Sequence, residues 1–361
     1  MSDIAAVTGV HPTTVSLALR SHPSIPLGTR KRIVAAAEAL GYERDPLLDA
    51  FNFHRLHKRA TKDGATIAFV VDANTSPYFF GQAFHPLVYE GAKAAALAHH
   101  HAIEVFKVGP RDLSTRRLNT IIASRGISGV LLSTFTLHTT RLDIDWQNLS
   151  TVKIESHHLL PEMDVVTNDQ CQAARLCMRR LRALGYRRIG LATARDDESR
   201  LQDNFSTGVL VEQAEMPESE CVPPLLFERT TVDEITARVH DWIRECEVDV
   251  VISNWGELLG PGQPMAGLTL GNTRLRIPED IAFASLDVPP HRADIGGIVQ
   301  NHRLVGLHAM EHLSVLVRTF RRGAPDAPSV TYVPGFWRDG ATAPRRSRAA
   351  LVWSLSAHAH V

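Results

Sequence analysis

The sequence predicts a small all-α module at the N-terminus followed by a larger α/β body. Up to about residue 53 the apolar residues recur at helical spacing, and no strand pattern occurs. From Thr66 onward, short β-branched runs alternate with helical stretches, a pattern typical of parallel sheets covered by helices on both faces. We therefore divide the 361 residues into an N-terminal module (residues 1–44), a connecting segment (45–65), a body (66–342) and a tail (343–361) to which no function is assigned.

The composition excludes several classes of protein. Apolar residues make up 44% of the chain, and no run approaches the roughly 18 consecutive apolar residues of a membrane span. The N-terminus has no basic start followed by an apolar core, so we expect a cytoplasmic protein without membrane association. The four cysteines show no C-x-x-C spacing, which argues against both a disulfide framework and a zinc site.

Charge is distributed unevenly along the chain. Residues 1–60 contain eight basic and five acidic side chains, whereas the rest of the chain contains 31 basic and 34 acidic ones. The net charge of zero is thus the sum of +3 and −3. A small basic module on a larger acidic body is compatible with a nucleic-acid partner, despite the overall neutrality.

Three short helices are predicted within residues 1–44. Gly9 supplies a turn after the first helix, Pro12 suits the first turn of the second, and a third helix runs from about Leu27 to Leu40. The inward positions of the second and third helices are Val15, Ala18, Leu19, Ile33, Ala36, Ala37 and Leu40. This arrangement fits a helix-turn-helix whose second helix lies in the DNA major groove, although an arbitrary three-helix bundle has the same pattern.

The same residues match a known motif. The run DIAAVTGVHPTTVSLALR, followed by IPLGTRKRIVAAAEALGY, resembles the headpiece of the lactose/galactose repressor (LacI/GalR-type) family of bacterial transcription regulators. Positions that agree with the family pattern are Asp3, Ile4, Ala5, Gly9, Val10, Thr14, Val15, Ser16, Leu19, Thr29, Arg30, Gly41 and Tyr42. The resemblance implies a homodimer that binds double-stranded operator DNA.

The resemblance also implies which residues contact DNA. The predicted set is Pro12, Thr13, Thr14, Ser16, Leu17, Arg20, Arg30 and Phe51. Pro12, Thr13 and Leu17 occupy the positions that face base edges, and Arg20 could contact phosphate. Many members have Arg where this chain has Leu17, which can offer only apolar contact, for example to a thymine methyl. The base preference of the family is therefore not transferable.

A short hinge helix is predicted in DPLLDAFNF, residues 45–53, because Asp45-Pro46 is a helix start signal and Leu47, Leu48 and Phe51 follow at helical spacing. In the resembled family such a helix becomes ordered on operator DNA, and Phe51 stands where a leucine wedges into the minor groove. Phe is a residue type that pries base steps apart. The alternative is that Phe51 packs against the body. Residues 54–65, HRLHKRATKDGA, read as a polar linker.

The body contains seven predicted strands. They are TIAFVV (66–71), IEVFKV (103–108), GVLLS (129–133), TVKIE (151–155), RIGLAT (188–193), VDVVIS (248–253) and DIAFASLD (280–287). Ligands of open parallel sheets bind beyond the carboxyl ends of the strands. The candidate binding loops therefore begin near Asn74, Ser133, Ser156, Asn254 and Asp287.

The body resembles the same family in V-T-N-D-Q, LRALGYRRIGLAT, IPEDIAFASLD and the closing VPGFWRDGAT. This implies a periplasmic-binding-protein-like fold of two parallel-sheet subdomains, with the chain crossing near residues 168, 298 and 330, that forms the dimer and holds a sugar-like effector in the cleft between them. The predicted effector contacts are Asn74, Ser133, Asp169, Phe205, Asn254, Trp255, Asp287 and Gln300.

Two of these positions depart from the family. Phe205 replaces the Arg of R-x-x-G, and Trp255 replaces the Asp of N-D. Loss of the Arg removes a bidentate clamp, whereas two aromatic rings could stack on a flat ligand or simply fill a closed cleft.

Other chemistry is not indicated. No P-loop, G-x-G-x-x-G, G-x-S-x-G or H-E-x-x-H string occurs, so we predict neither an enzyme nor a cofactor. His99 to His101 suit a helix carboxyl end, and adjacent His157 and His158 on an extended segment would point to opposite faces, so no metal site is predicted. The alternatives to an effector-controlled repressor are a sugar-binding receptor or transport component and a regulator whose cleft binds no small molecule.

Overall fold

The computed structural model describes residues 2–19, 24–40, 65–74, 84–259 and 268–346. Within these ranges the chain forms three N-terminal helices and two six-stranded sheets flanked by helices. The predicted fold class is therefore confirmed. None of the described helices is long and apolar enough to cross a bilayer.

The N-terminal module consists of α1 (Ser2–Thr8), α2 (Pro12–Leu19) and α3 (Leu27–Ala39). Gly9 adopts a left-handed φ of 64° in the turn between α1 and α2, a conformation that favours glycine. The helices bury a common core of Ile4, Ala5, Val15, Ala18, Ile25, Ile33 and Ala37. Leu40 was predicted to face this core but is 49% exposed, because α3 ends at Ala39 and Leu40 follows its last turn.

The first subdomain is built on a fully parallel sheet. Its elements are β1 (Thr66–Asp72), α4 (Phe84–Ala98), β2 (Ala102–Val108), α5 (Thr115–Arg125), β3 (Gly129–Leu132), β4 (Ser150–Ile154), β5 (Asp164–Asn168), α10 (His302–Arg318) and β11 (Val330–Val333). The strand order is β2-β1-β3-β4-β5-β11. Helices α4 and α10 cover one face, and α5 packs on the other.

The second subdomain has the same strand order, but its last strand is antiparallel to its neighbour. Its elements are α6 (Gln170–Ala183), β6 (Ile189–Ala194), α7 (Arg195–Arg200), α8 (Asn204–Gln213), β7 (Leu225–Phe227), α9 (Val232–Glu245), β8 (Val250–Ser253), β9 (Ala282–Ser285), β10 (Gly297–Val299) and β12 (Phe336–Arg338). The order is β7-β6-β8-β9-β10-β12, and β12 pairs antiparallel to β10. Helices α6 and α8 cover one face and α9 the other.

All seven predicted strands are present, and β5, β7, β10, β11 and β12 are additional, the last of them within the closing VPGFWRDGAT. These five strands have three to five residues each, and apolar runs this short are ambiguous by periodicity alone.

The chain passes between the subdomains three times: after β5, between β10 and α10, and between β11 and β12. In each sheet the strand order reverses next to the first strand, between β1 and β3 and between β6 and β8. Such reversal points open a crevice beyond the carboxyl ends of the strands, where ligands of this fold class bind. The topology therefore places one crevice in each subdomain.

Two glycines bring α4 and α10 into close contact. A Cβ atom at Gly306 would overlap the carbonyl oxygen of Val88, and one at Gly91 would overlap the carbonyl oxygen of Arg303. The helices cross at these glycines because only a missing side chain allows the backbones to approach so closely. This contact holds α10 on the first sheet immediately after the chain leaves the second subdomain.

We expect Gly306→Ala to lower the free energy of unfolding by roughly 1–3 kcal/mol, because the added methyl forces α4 and α10 apart. Gly256→Ala is the matched control, since its Cβ position meets no described atom within 4 Å. Thermal unfolding followed by circular dichroism measures the difference. Equal melting temperatures for the two variants would contradict a tight helix crossing at Gly306.

Candidate functional site

The outer surface of α2 is the candidate DNA-reading face. Pro12 and Thr13 are exposed, whereas Thr14, Ser16 and Leu17 are half-buried. The imidazole Nδ1 of His11 accepts a hydrogen bond from the backbone N–H of Thr13 at 3.3 Å and lies 3.0 Å from its hydroxyl oxygen. Thr13 is therefore held at the accessible end of α2, where the second helix of such a motif presents side chains to base edges.

Two other residues that were predicted to contact DNA also make contacts within the three-helix module. Leu17 packs partly against the three-helix core, so only part of its side chain is available to DNA. The guanidinium of Arg30 donates to the carbonyl of Ile25 at 3.3 Å and so braces the loop before α3. Arg20 and Phe51, together with the predicted hinge helix, lie outside the described residues, and their contacts stay predictions.

A narrow cleft lies between the carboxyl ends of the two sheets. Its lining residues are Glu155, Asn168, Gln170, Asp197, Leu201, Phe205, Arg229, Asn254, Trp255, Asp287, Gln300 and His302. The enclosed space is about 30 Å³, room for one or two water molecules. Both subdomains contribute, as expected for a site at the reversal points of two parallel sheets.

Five of the eight predicted effector contacts line this cleft: Phe205, Asn254, Trp255, Asp287 and Gln300. The rings of Trp255 and Phe227 pack with their centroids 5.1 Å apart, so Trp255 presents an aromatic wall backed by the core of the second subdomain. Phe205 is 3% exposed and belongs to the core on the other face of the same sheet.

The structure places the other three predicted contacts outside the lining. Asn74 is exposed in the turn after β1, where its N–H donates to Asp72. Ser133 is fully buried, and its hydroxyl lies 3.2 Å from Nδ1 of His85. The carboxylate of Asp169 caps α6 by accepting from the N–H of Gln172 at 2.9 Å. Each of the three follows a strand, but its side chain makes local contacts and does not line the cleft.

Glu155 and Arg200 form a buried ion pair across the cleft. Nη1 of Arg200, in the second subdomain, lies 3.3 Å from Oε2 of Glu155, in the first, and the two side chains are 0% and 2% exposed. Nη2 of the same Arg200 lies 3.3 Å from Oδ1 of Asp197. The other oxygen of Glu155 accepts from the side-chain amides of Asn168 and Gln170, at 2.9 and 3.1 Å. Every charge in this group therefore has a partner, as buried charges require.

A second pair crosses the cleft beside the first. Nε2 of His302, at the start of α10, lies 2.9 Å from a carboxylate oxygen of Asp287, which follows β9. Its Nδ1 lies 3.1 Å from the amide nitrogen of Asn168, which links this pair to Glu155. Burial lowers the pKa of His302, but the charge and hydrogen bond of Asp287 outweigh it, so the pKa lies above its ordinary value.

Asp197 is the centre of the polar contacts in the second subdomain. Its Oδ2 accepts from Arg229 at 2.8 Å and from the amide of Asn254 at 3.0 Å. The hydroxyl of Thr193 donates to the oxygen of the same Asn254 amide at 2.7 Å. Asn254 is thus oriented by hydrogen bonds at both ends of its amide.

Sequence reasoning did not identify Glu155, Asn168, Gln170, Asp197, Arg200, Arg229 and His302. The strand-end rule pointed to Ser156, one residue past Glu155, and RDDESR after β6 has the charge pattern of a solvated helix. Only their burial distinguishes Asp197 and Arg200 from ordinary surface charges.

Two acceptors in the cleft remain without a donor. Oδ1 of Asn168 and Oε1 of Gln300 are buried and have no hydrogen-bond partner among the described residues. A buried acceptor is costly unless it is paired, so a ligand hydroxyl that donates to either oxygen would be stabilised. The cleft therefore combines unpaired acceptors with an aromatic wall, a combination suited to a polyhydroxy ligand.

Histidines next to the cleft are held neutral. Burial, with a smaller contribution from the positive charge of Arg200, lowers the pKa of His85 and of His157 to about 4. His157 and His158 lie in a turn, not on an extended segment as predicted, and Nε2 of His158 lies 3.1 Å from the carbonyl oxygen of Thr136. Within the described ranges, no three His, Cys, Asp or Glu side chains form a group that could hold a metal ion.

Comparisons with known proteins agree with this architecture. Residues 1–45 match the family model for bacterial regulatory proteins of the lacI family. An HTH-type transcriptional regulator from the aml 5′ region of Streptomyces limosus is 28% identical over 202 residues, which cover 54% of this chain and about half, 53%, of that relative. The HTH-type regulator MalR of Streptomyces coelicolor is 24% identical over 303 residues, or 80% of each chain.

Among solved structures, the complex of the transcriptional regulator CelR with cellobiose aligns over 94% of this chain and 98% of CelR. The TM-score is 0.53 and the identity 18%, so the likeness demonstrates a shared fold. The predicted relation to LacI-type regulators is confirmed by the family match and by these relatives.

We expect His85 to contribute to acid sensitivity. Because its folded pKa is about 4 and its unfolded value 6.5, the stability associated with the neutral ring is complete above pH 6.5 and is lost as the pH falls toward 4. Between pH 6.5 and pH 4, the free energy of unfolding of His85→Gln should fall by about 1–3 kcal/mol less than that of the wild type. Unfolding by denaturant at several pH values measures this difference. His138→Gln, at an exposed position, is the control. Identical pH profiles for wild type and His85→Gln would exclude this role.

Proposed function

We propose that this chain, whose residues 1–45 carry the DNA-binding domain of the LacI family of bacterial regulatory proteins, is a homodimeric transcription regulator. It binds double-stranded operator DNA through α2, and a small polyhydroxy molecule in the cleft controls that binding. We expect it to act as a repressor and to have no catalytic activity.

One observation supports this proposal most directly: a helix-turn-helix module and a two-subdomain cleft with two unpaired buried acceptors occur in the same chain. A receptor or transport component would use the cleft alone and would have no use for a DNA-reading helix. The sugar-like chemistry of the effector is supported by the acceptors of Asn168 and Gln300, by the wall formed by Trp255, and by a neighbour of the same fold that binds cellobiose.

Control of DNA binding would follow from a change in the relative position of the two subdomains. An effector that binds more tightly to one arrangement of the two subdomains than to another shifts the equilibrium towards that arrangement. In a dimer this changes the spacing of the two headpieces, so effector and operator influence each other. Val105 on the edge strand β2 and Leu97 on the preceding helix are 43% and 76% exposed, which supports an apolar contact between subunits at this edge.

The small volume of the cleft favours a second candidate. With only about 30 Å³ enclosed, the cleft could belong to a regulator that binds no effector, its interior being filled by Arg200, Phe205 and their neighbours. A ligand screen separates the two candidates, because only the first predicts a polyhydroxy molecule that stabilises the protein.

Base readout is tested with Thr13→Ala in the full-length protein. We expect the variant to change base preference at one or two positions per half-site and to lose about 1–3 kcal/mol at its preferred site, because each specific base contact contributes this much discrimination. Selection from randomised duplex DNA measures both quantities. Thr120→Ala, an exposed threonine on α5, should leave the profile unchanged. If Thr13→Ala selects the same sequences as wild type, Thr13 is not a reading residue; if wild type selects none, the proposed function fails.

Effector binding is tested by thermal shift with cellobiose, monosaccharides and nucleobases. A ligand at 100 times its Kd stabilises the folded protein by about 2.7 kcal/mol, which is readily measured. We expect Trp255→Ala to abolish the shift, whereas Trp337→Ala, another half-buried tryptophan of the second subdomain that lies outside the cleft lining, should retain it. A shift that survives in Trp255→Ala would move the binding site elsewhere.

A further inference from the structure

The ion pair between Arg200 and Glu155 joins the two subdomains across the cleft. Both side chains are removed from solvent, with exposures of 0% and 2%. Burying a charge is costly unless its partner is in place, and the two partners here come from different subdomains. The pair can therefore stay buried only while the cleft is closed, since opening would expose both charges to water.

The backbone around this pair is held in an uncommon conformation. Glu155 has a φ of 53°, and Gln202 and Asp203, just after Arg200, have φ values of 58° and 55°. Left-handed backbone is unfavourable for residues other than glycine and persists where the surroundings determine it. Here the conformation occurs at both ends of one ion pair, which indicates that the structure is arranged to bring these two side chains together.

The neighbours of Arg200 complete a site for a guanidinium group. Glu155 and Asp197 supply carboxylate oxygens from opposite sides of the cleft. The charge of Arg200 also acts on His85 and His157, whose lowered pKa values leave both rings uncharged near neutral pH. Asp197 is held in turn by Arg229, and Glu155 by Asn168 and Gln170. The cleft thus contains a cation of its own, bonded to both subdomains.

We propose that Arg200 is a built-in latch that closes the two subdomains on each other without an effector. The latch makes the closed arrangement the resting one. If the proposed function holds, an effector acts by replacing Arg200 on Glu155 and Asp197, and is not needed for the first contact between the subdomains.

The latch is tested by single-molecule energy transfer in the full-length protein, with neither DNA nor effector present. Fluorescent non-canonical residues are placed at two exposed loop positions, His138 after β3 and His291 after β9, one in each subdomain. Wild type should give one population with short separation. In Arg200→Met the ratio of closed to open molecules should fall by at least about tenfold, because Glu155 loses the partner that keeps it buried. Arg175→Met is the matched control, since Arg175 pairs with Glu212 within the second subdomain.

Glu155→Gln provides a second variant, because it removes the charge from the opposite side and keeps a hydrogen-bonding side chain. It should also populate the open form. It is used in place of Arg200→Met if the circular-dichroism spectrum shows that Arg200→Met does not fold. Arg200→Lys should restore closure in part. The proposal is overturned if wild type is open, or if folded Arg200→Met or Glu155→Gln matches wild type. Since the measurement involves no DNA and no sugar, the latch can be established even if the proposed function fails, and rejected even if that function holds.

Discussion

Glu155 and Arg200 are both withdrawn from water, and removing either would leave the other without its partner across the cleft. Each is tied to further groups: Glu155 to Asn168 and Gln170, and Arg200 to Asp197. His302 and Asp287 repeat the arrangement a short distance away, again with one partner in each subdomain. The position of one subdomain relative to the other is therefore linked to the pairing of buried charges, whereas the apolar clusters stabilise each subdomain separately.

Because the cores lie within the subdomains and the charged contacts lie between them, the subdomains can move relative to each other without disturbing either core. The hydrophobic cores lie on the faces of the two sheets and would be unaffected by a movement at the cleft. The three connections are the places where such a movement would be absorbed, as in hinge closure of other two-domain proteins. Asn168 and His302 lie at two of these connections and also belong to the polar network, so the hinge and the cleft share residues. A change of partner in the cleft is thereby coupled to the relation between the subdomains.

The charged and polar side chains of the cleft also determine which kind of ligand fits there. Glu155, Asp197 and Asp287 surround the available space with carboxylate oxygens, and Asn168 and Gln300 add unpaired acceptors. These carboxylates are paired with Arg200, Arg229 and His302, so the unpaired acceptors of Asn168 and Gln300 favour a ligand that carries hydrogen-bond donors. Where the resemblance implies an arginine, this chain has Phe205, and Arg200 supplies a guanidinium from the preceding helix.

Several features follow from the sequence by itself. Local spacing was sufficient for the three N-terminal helices, seven strands and the alternation that indicates parallel sheets, because helix and strand periods are properties of neighbouring residues. The resemblance to a known family and the strand-end rule together located Asn254, Trp255, Asp287, Gln300 and Phe205 in the cleft lining. Five further strands of three to five residues were not predicted, because apolar runs this short are ambiguous by periodicity alone.

Only the tertiary structure decided which side chains meet across the cleft. Glu155 and Arg200 are 45 positions apart, and Asp287 and His302 lie on opposite sides of a crossing, so no local pattern relates either pair. It also decided that Asn74, Ser133 and Asp169, equally plausible by position, use their polar groups within their own subdomain. The physical reason is that a strand end specifies a location, whereas burial and the partner from the other sheet determine whether a charge at that location faces solvent or the cleft.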